Sequence, residues 1–319
     1  MLKTEIIEKI KKLKQEKNAV LLAHYYQRSE VQDIADFLGD SLQLSQEAAK
    51  TKADIIVFAG VHFMAETAKI LSPDKKVLIP DLNAGCSLSD SCKAEDLKRF
   101  KEQYPEHTVI SYVNTTAEVK ALTDICCTSS NALKIVDSLP KNEKIIFGPD
   151  RNLGNYIKSL TGRENMLIWN GACHVHEAFS VENIINLKKQ YPQAKVLAHP
   201  ECKEPVLMLA DYIGSTAALL AFSATDNTQT YIVATESGII HQMQQKSPKK
   251  EFIPVASSNA LDSNVDDSCG ACSSCEFMKL ISLEKIYDSL LNEQFEVNID
   301  EDIRKKAKKS IVKMLELSL

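Results

Sequence analysis

The chain repeats itself. Three segments, LKQEKNAVLLAHYYQ, KEQYPEHTVISYVNT and KKQYPQAKVLAHPEC, each run from the end of a helical pattern through a short apolar strand into a polar cluster. Their anchors, His24, Tyr112 and His199, stand 88 and 87 residues apart. Three further markers follow each anchor in the same order. The first is a serine-bearing helix start (GDSLQLSQEA, CTSSNALKI, IGSTAALLA), with Ser41, Ser129 and Ser215 at spacings of 88 and 86. The second is a strand running into a loop (IIVFAGVHF, KIIFGPDRN, YIVATESGI), and the third is an apolar run (VLIPDLNAGC, MLIWNGAC, FIPVASSN) leading to cysteine. A fixed period restricts the fold strongly, because every copy must form the same supersecondary unit. The length of 319 residues alone suggests about two domains; the repeat predicts three.

Each unit reads helix, strand, helix, strand, helix, strand. The strands are short, β-branched apolar runs bounded by Gly, Asn, Asp or Pro. Strands alternating with helices imply parallel sheets with right-handed crossovers. The expected fold is α/β: three pseudo-threefold-related three-layer α/β/α domains with small parallel sheets around a central cavity. Their spans are 1–90, 91–177 and 178–278, with C-terminal closing helices in 279–319 (MKLISLEKIYDSLLNEQ and DEDIRKKAKKSIVKMLELSL). Ligands bind outside the carboxyl ends of strands in open parallel sheets, so three facing units would bring three loop sets together.

Composition removes several classes of function. Hydrophobic residues at 44% and charged residues at 25% mark a folded globular chain. A net charge of −5 argues against a nucleic-acid-binding surface. No run of apolar residues is long enough to span a membrane, and the amphipathic N-terminus lacks the apolar core of a signal peptide. A cytoplasmic protein is expected. There is no P-loop, GxGxxG, HExxH or GxSxG, so nucleotide-dependent chemistry is not expected.

Nine cysteines in a reducing compartment point to metal or catalysis rather than disulfides. Cys86 and Cys173, 87 residues apart, end the first two units. The third ends in DDSCGACSSCEFMK, with Cys269, Cys272 and Cys275. One thiolate per unit at a pseudo-threefold axis would make a three-cysteine site, and soft thiolates select zinc, Cu(I) or an iron–sulfur cluster. A local reading of Cys-x2-Cys-x2-Cys as a ferredoxin-type run is incomplete, because Lys279 stands where the next cysteine is needed. Cys92, Cys126, Cys127 and Cys202 have no matched partners and read as buried small hydrophobes. A cluster on three cysteines leaves one iron open to substrate as a Lewis acid, which suits dehydration and condensation.

Asp40-Ser41, Ser129-Ser130 and Ser215-Thr216 each open a helical pattern. They read as N-caps, and as a matched set they read as anion sites for a small polyanionic substrate. His24, Tyr25, Tyr26 and Gln27, then Tyr112 and Asn114, then His199-Pro200-Glu201-Cys202 directly follow strands. A His and a Glu in that position can act as acid and base. His174 and Glu177 are placed to support Cys173; His62, His107 and His241 are unmatched and read as incidental.

AHYYQ (23–27), GDSL (39–42), NAGCSLSD (83–90), YVNT (112–115), CTSSNA (127–132), WNGACHVHE, HPEC (199–202), GST (214–216) and the last Cys-x2-Cys before Met-Lys together resemble the bacterial quinolinate synthases, over essentially the whole chain. The resemblance implies an enzyme of the transferase class. It condenses iminoaspartate (iminosuccinate) with dihydroxyacetone phosphate to quinolinate, releasing phosphate and water, in de novo NAD synthesis. It implies three α/β domains around a [4Fe–4S] cluster held by Cys86, Cys173 and Cys275. Substrate contacts carry over to His24, Ser41, Tyr112, Val113, Asn114, Ser129, His199, Pro200, Glu201 and Thr216. Tyr26, Glu201 and His199 carry over as catalytic, with Glu201 as the base for enamine–imine interconversion. An aspartate oxidase or dehydrogenase would supply iminoaspartate. The family pattern has a lysine some way past Gly-Ser-Thr, whereas residues 218–240 here contain no Lys or Arg; helix N-termini and hydroxyls are then expected to carry more of the anion binding. The rival readings are another [4Fe–4S] hydro-lyase acting on a small di- or tricarboxylate, a non-catalytic iron–sulfur or redox sensor on Cys269, Cys272 and Cys275, and a zinc protein.

Overall fold

The structure, a computed structural model, describes residues 2–256 and 273–318. Among them, three sheets of four parallel strands account for the strand structure. The first holds β1 (Ala19–His24), β2 (Phe37–Gly39), β3 (Ile55–Ala59) and β4 (Lys76–Leu78). The second holds β5 (Thr108–Tyr112), β6 (Ile125–Cys127), β7 (Ile145–Gly148) and β8 (Met166–Ile168). The third holds β9 (Lys195–Ala198), β10 (Tyr212–Ile213), β11 (Thr230–Ala234) and β12 (Glu251–Pro254). Their strand orders, β2-β1-β3-β4, β6-β5-β7-β8 and β10-β9-β11-β12, are one pattern repeated three times. The central strands are mostly apolar because helices cover both faces; Leu21, Leu22, Ile56 and Val57 are all 1% exposed or less.

The sequence predicts three strands per unit and the structure has four. The additional strands, β2, β6 and β10, are three, three and two residues long. So short a run shows no periodicity of its own. Each owes its place to one aspartate. Asp36, Asp124 and Asp211 precede these strands at spacings of 88 and 87. Each donates its backbone N–H to the carbonyl of Leu21, Val109 or Val196, at 2.9, 3.0 and 2.9 Å. Each carboxylate in turn accepts that residue's N–H, at 2.7, 2.8 and 2.7 Å. Lys14, Lys101 and Lys188, 87 residues apart each time, pair with the same three carboxylates at 2.6, 3.3 and 3.6 Å. These ion pairs are at the surface and worth little; the backbone–carboxylate bonds carry the stabilisation. Asp124→Ala is expected to cost about 1–2 kcal/mol, lowering the thermal unfolding midpoint while leaving metal content unchanged.

The two closing helices are Leu283–Asn292 and Glu301–Ser318. The first packs on the N-terminal helix Lys3–Glu16 and on β3. The second lies across the helix Ala117–Leu122 and β6, and also touches the helix His62–Leu71. It buries Ala307, Ser310, Ile311 and Met314, the single stripe that an i, i+3, i+4, i+7 spacing makes. Ser310 Oγ donates to the Lys120 carbonyl at 2.9 Å, which ties this helix to the second unit. No described helix is long and apolar enough to cross a membrane.

Candidate active site and metal centre

β1 ends at His24, β5 ends at Tyr112, and His199 follows β9 directly. The three side chains are 3%, 4% and 2% exposed and line one cavity. Tyr26, Ser41, Asn114, Ser129, Glu201 and Thr216 line the same cavity, together with Cys86, Cys173 and Cys275. Val113 and Pro200 are buried beside it without contributing to its lining. All three units meet there, at the carboxyl edges of their sheets.

Two of the three expected helix caps form. Asp40 closes a reciprocal cap on the helix Ser41–Lys50, exchanging bonds of 3.0 Å with Gln43. Ser215 caps the helix Thr216–Thr225 through the Ala218 N–H at 3.3 Å. Ser41 and Thr216 therefore sit at first helical positions, where free N–H groups favour an anion. The pair Ser129-Ser130 does not open its helix. Asn131 takes the cap position before Ala132–Ser138, but its carboxamide folds back to accept the Thr128 N–H at 2.6 Å. The serines are thereby left in the preceding turn, free to bond elsewhere. Ser130 Oγ donates to Asp40 at 2.7 Å and Ser129 Oγ lies 3.2 Å from His199 Nε2.

The two histidines are set the same way. The backbone N–H two residues on donates to Nδ1, from Tyr26 to His24 at 3.1 Å and from Glu201 to His199 at 3.3 Å. An accepting Nδ1 places the ring proton on Nε2. Burial pulls both imidazoles down to about 3, so at neutral pH they are uncharged donors. Burial opposes the charge on Glu201, but His176, His199 and the Tyr112 hydroxyl outweigh it and hold its carboxyl below the usual carboxylate range. Tyr112 OH donates to Glu201 Oε1 at 2.5 Å. Asn114 Oδ1 is buried with no hydrogen-bond partner, an acceptor left over for a ligand donor. No described Lys or Arg lines the cavity.

A second chain of groups runs behind the wall. His176, unmatched in the repeat, stacks on His199 with centroids 4.8 Å apart. Its Nδ1 lies 3.0 Å from Glu201 Oε2, a contact that makes no aligned hydrogen bond. Its Nε2 bonds Thr235 Oγ1 at 2.9 Å, Thr235 Oγ1 bonds Tyr26 OH at 2.7 Å, and Thr216 Oγ1 donates to Tyr26 OH at 2.8 Å. Thr216, Tyr26, Thr235 and His176 thus form one hydrogen-bonded path across units, ending beside Glu201.

The three cysteines are equivalent by bonding as well as by order. In each unit a residue just past the third strand donates its N–H to the carbonyl two residues before the cysteine. The bonds are His62 to Ala84 at 2.7 Å, Arg151 to Gly171 at 2.8 Å and Ser237 to Ser273 at 3.0 Å. Each cysteine then begins a single helical turn: Ser87–Asp90, His174–Glu177 or Glu276–Lys279. The equivalence makes Cys275 the third unit's counterpart of Cys86 and Cys173. Cys269 and Cys272 lie outside the described residues. The family described as "Quinolinate synthetase A protein" matches residues 8–316. The curated quinolinate synthase of Microcystis aeruginosa is 58% identical over 98% of this chain and 95% of its own. Those of Chloroherpeton thalassium and Thermosynechococcus vestitus are each 55% identical over 98% of this chain, covering 95% and 96% of theirs.

The chain belongs to the quinolinate synthase family.

In this quinolinate synthase family member the three thiols are free, half-buried and directed at one cavity. Burial pushes Cys86 up to about 12, Cys275 up to about 11 and Cys173 well above its ordinary value. Buried thiolates therefore need a cation beside them, and three soft donors converging on one space fit an iron–sulfur cluster. Cys173, His176 and Glu201 also present one donor atom each within 4.8 Å of one another, a set that could hold a metal ion. Cys92, Cys126, Cys127 and Cys202 are buried, as the sequence implies. His174 bonds Ser87 Oγ at 2.7 Å, bridging two cysteine turns, and Glu177 pairs with Arg151 at 2.8 Å. His176, Thr235, Glu236 and Asp150 escape the sequence reading. The signal for His176 is its place three residues past Cys173; for the other three it is their position after the third strand of a unit.

Proposed function

We propose that the chain is a transferase that condenses iminoaspartate with dihydroxyacetone phosphate to quinolinate, releasing phosphate and water. The observation that supports it most is the meeting of three free cysteines, one from each unit, with Tyr26, His176 and Glu201 in one cavity. Cys86, Cys173 and Cys275 would hold a [4Fe–4S] cluster, whose remaining iron supplies a Lewis acid for the loss of water.

The chain's own residues do the rest. The first-turn amides at Ser41 and Thr216, with the Ser129 hydroxyl, bind the carboxylates and phosphate in place of cationic side chains. His24 and His199, neutral with Nε2–H, donate to substrate oxygens without adding charge. Asn114 Oδ1 accepts from a substrate N–H or O–H. Glu201, held ionised, is the base that takes a substrate proton, with Tyr112 holding its other oxygen. Burial raises the Tyr26 hydroxyl well above its ordinary value, so Tyr26 stays protonated and is the acid that gives a proton back to substrate. Glu201 returns its proton to His176 Nδ1, His176 passes its Nε2 proton to Thr235, and Thr235 passes its own to Tyr26. An aspartate oxidase or dehydrogenase would supply iminoaspartate.

The test is a phosphate count. Anaerobically purified protein given both substrates should release one phosphate per quinolinate, and none when iminoaspartate is omitted. Dehydration of a hydroxy-di- or tricarboxylate with no phosphorylated partner would instead support the hydro-lyase reading.

A further inference from the structure

Glu236 is wholly buried, and a buried carboxylate persists only when paired and hydrogen-bonded. Its Oε1 accepts the backbone N–H of Cys275 at 3.1 Å and its Oε2 that of Gly238 at 2.7 Å. Lys279 Nζ sits 2.8 Å from Oε1. The same amine donates to the backbone carbonyl of Tyr26. Arg28 Nε closes the junction, donating to the Lys279 carbonyl at 2.8 Å. The fit is close: a Cβ on Gly238 would come within 2.8 Å of both Glu236 Oε2 and Lys279 Nζ, and 2.9 Å of the Tyr26 carbonyl carbon. The second unit repeats the arrangement in part. Asp150, also wholly buried and two residues past its third strand, accepts the Cys173 N–H at 3.3 Å and the Leu153 N–H at 2.7 Å. The first unit has Val61 in that place.

We propose that Glu236 and Lys279 are positioning residues that fix the Cys275 turn for metal ligation and tie it to the backbone of Tyr26, with Asp150 fixing Cys173 in the same way. The proposal rests on the cluster reading above and deepens it. Lys279 stands where a ferredoxin-type run would place its next cysteine; here its one amine joins Glu236, which holds the last ligand, to the tyrosine backbone. Groups that hold metal ligands typically change metal affinity by about 10–100-fold when removed. The Cys275 and Tyr26 ends should therefore loosen together.

The test measures iron and sulfide per chain, the rate of iron loss to a chelator, and the paramagnetic spectrum of the reduced protein, all under anaerobic conditions. Lys279→Met should lose iron at least about tenfold faster than wild type, with an altered spectrum and a lower kcat. Lys279→Arg, which keeps the charge and the donors, should restore the rate and the spectrum. Glu236→Gln combined with Lys279→Met should lose iron more slowly than Lys279→Met alone, because no unpaired buried carboxylate remains. Asp150→Asn provides the same readout should Lys279→Met fail to fold. Lys279→Met or Asp150→Asn losing iron at the wild-type rate with an unchanged spectrum overturns the inference, even if the unfolding midpoint drops. A wild-type chain without iron and sulfide overturns the cluster reading, and this inference with it.

Discussion

Tyr26→Phe lowers turnover by about a thousandfold or more, in the range expected for loss of a positioned proton-transfer group, while iron and sulfide stay at the wild-type level. The substitution removes one oxygen and leaves the ring, which packs edge-on to His24 with centroids 4.6 Å apart. What disappears is the junction of the Thr216, Thr235 and Tyr26 hydroxyls, and with it the path to His176 and Glu201. His176→Asn should have a comparable effect. The double variant should lose little more than either single one, because groups acting as a unit are strongly non-additive. Rates that instead multiply would show that Tyr26 and His176 act independently. Kinetics with quinolinate as the readout, on samples matched for iron, distinguish the two outcomes.

The second large effect concerns which cysteine of the last motif holds metal. Cys275→Ser should abolish cluster retention and activity together, whereas Cys272→Ser should leave both near wild type. The reason is the repeated backbone bond: Ser273 occupies the place of Ala84 and Gly171, and that equivalence singles out the cysteine two residues on. A hard hydroxyl in place of a soft thiolate is a poor ligand for an iron–sulfur cluster. Iron and sulfide analysis of the two variants tests this. Loss of cluster in Cys272→Ser, with retention in Cys275→Ser, would move the ligand and undo the geometric argument.

Much of this was legible because the repeat keeps its period. His24, Tyr112 and His199 can be aligned by counting, and parallel sheets with polar residues at their carboxyl edges follow. The short strands β2, β6 and β10 were not legible, since two or three residues carry no pattern; their aspartates recur at the right spacing, but an aspartate after a helix reads as a turn until its bond to the neighbouring strand is seen. Ser129 reads as a helix start in sequence, and only the fold shows Asn131 taking the cap position with its carboxamide turned back to Thr128. His176 has no counterpart in the other units, so a reading built on repetition passes over it. Its role depends on Thr235 and Tyr26, which are far away in sequence. The docking of the last helix was equally hidden: an apolar stripe of Ala307, Ile311 and Met314 states that a partner exists, not which one.

The most direct test is quinolinate formation by anaerobically purified chain given iminoaspartate and dihydroxyacetone phosphate, with iron and sulfide counted in the same sample. The account predicts quinolinate together with about four irons and four sulfides per chain, and loss of both product and cluster in Cys86→Ala. Quinolinate formed at the wild-type rate by Cys86→Ala, or a fully loaded chain that makes none, would contradict it.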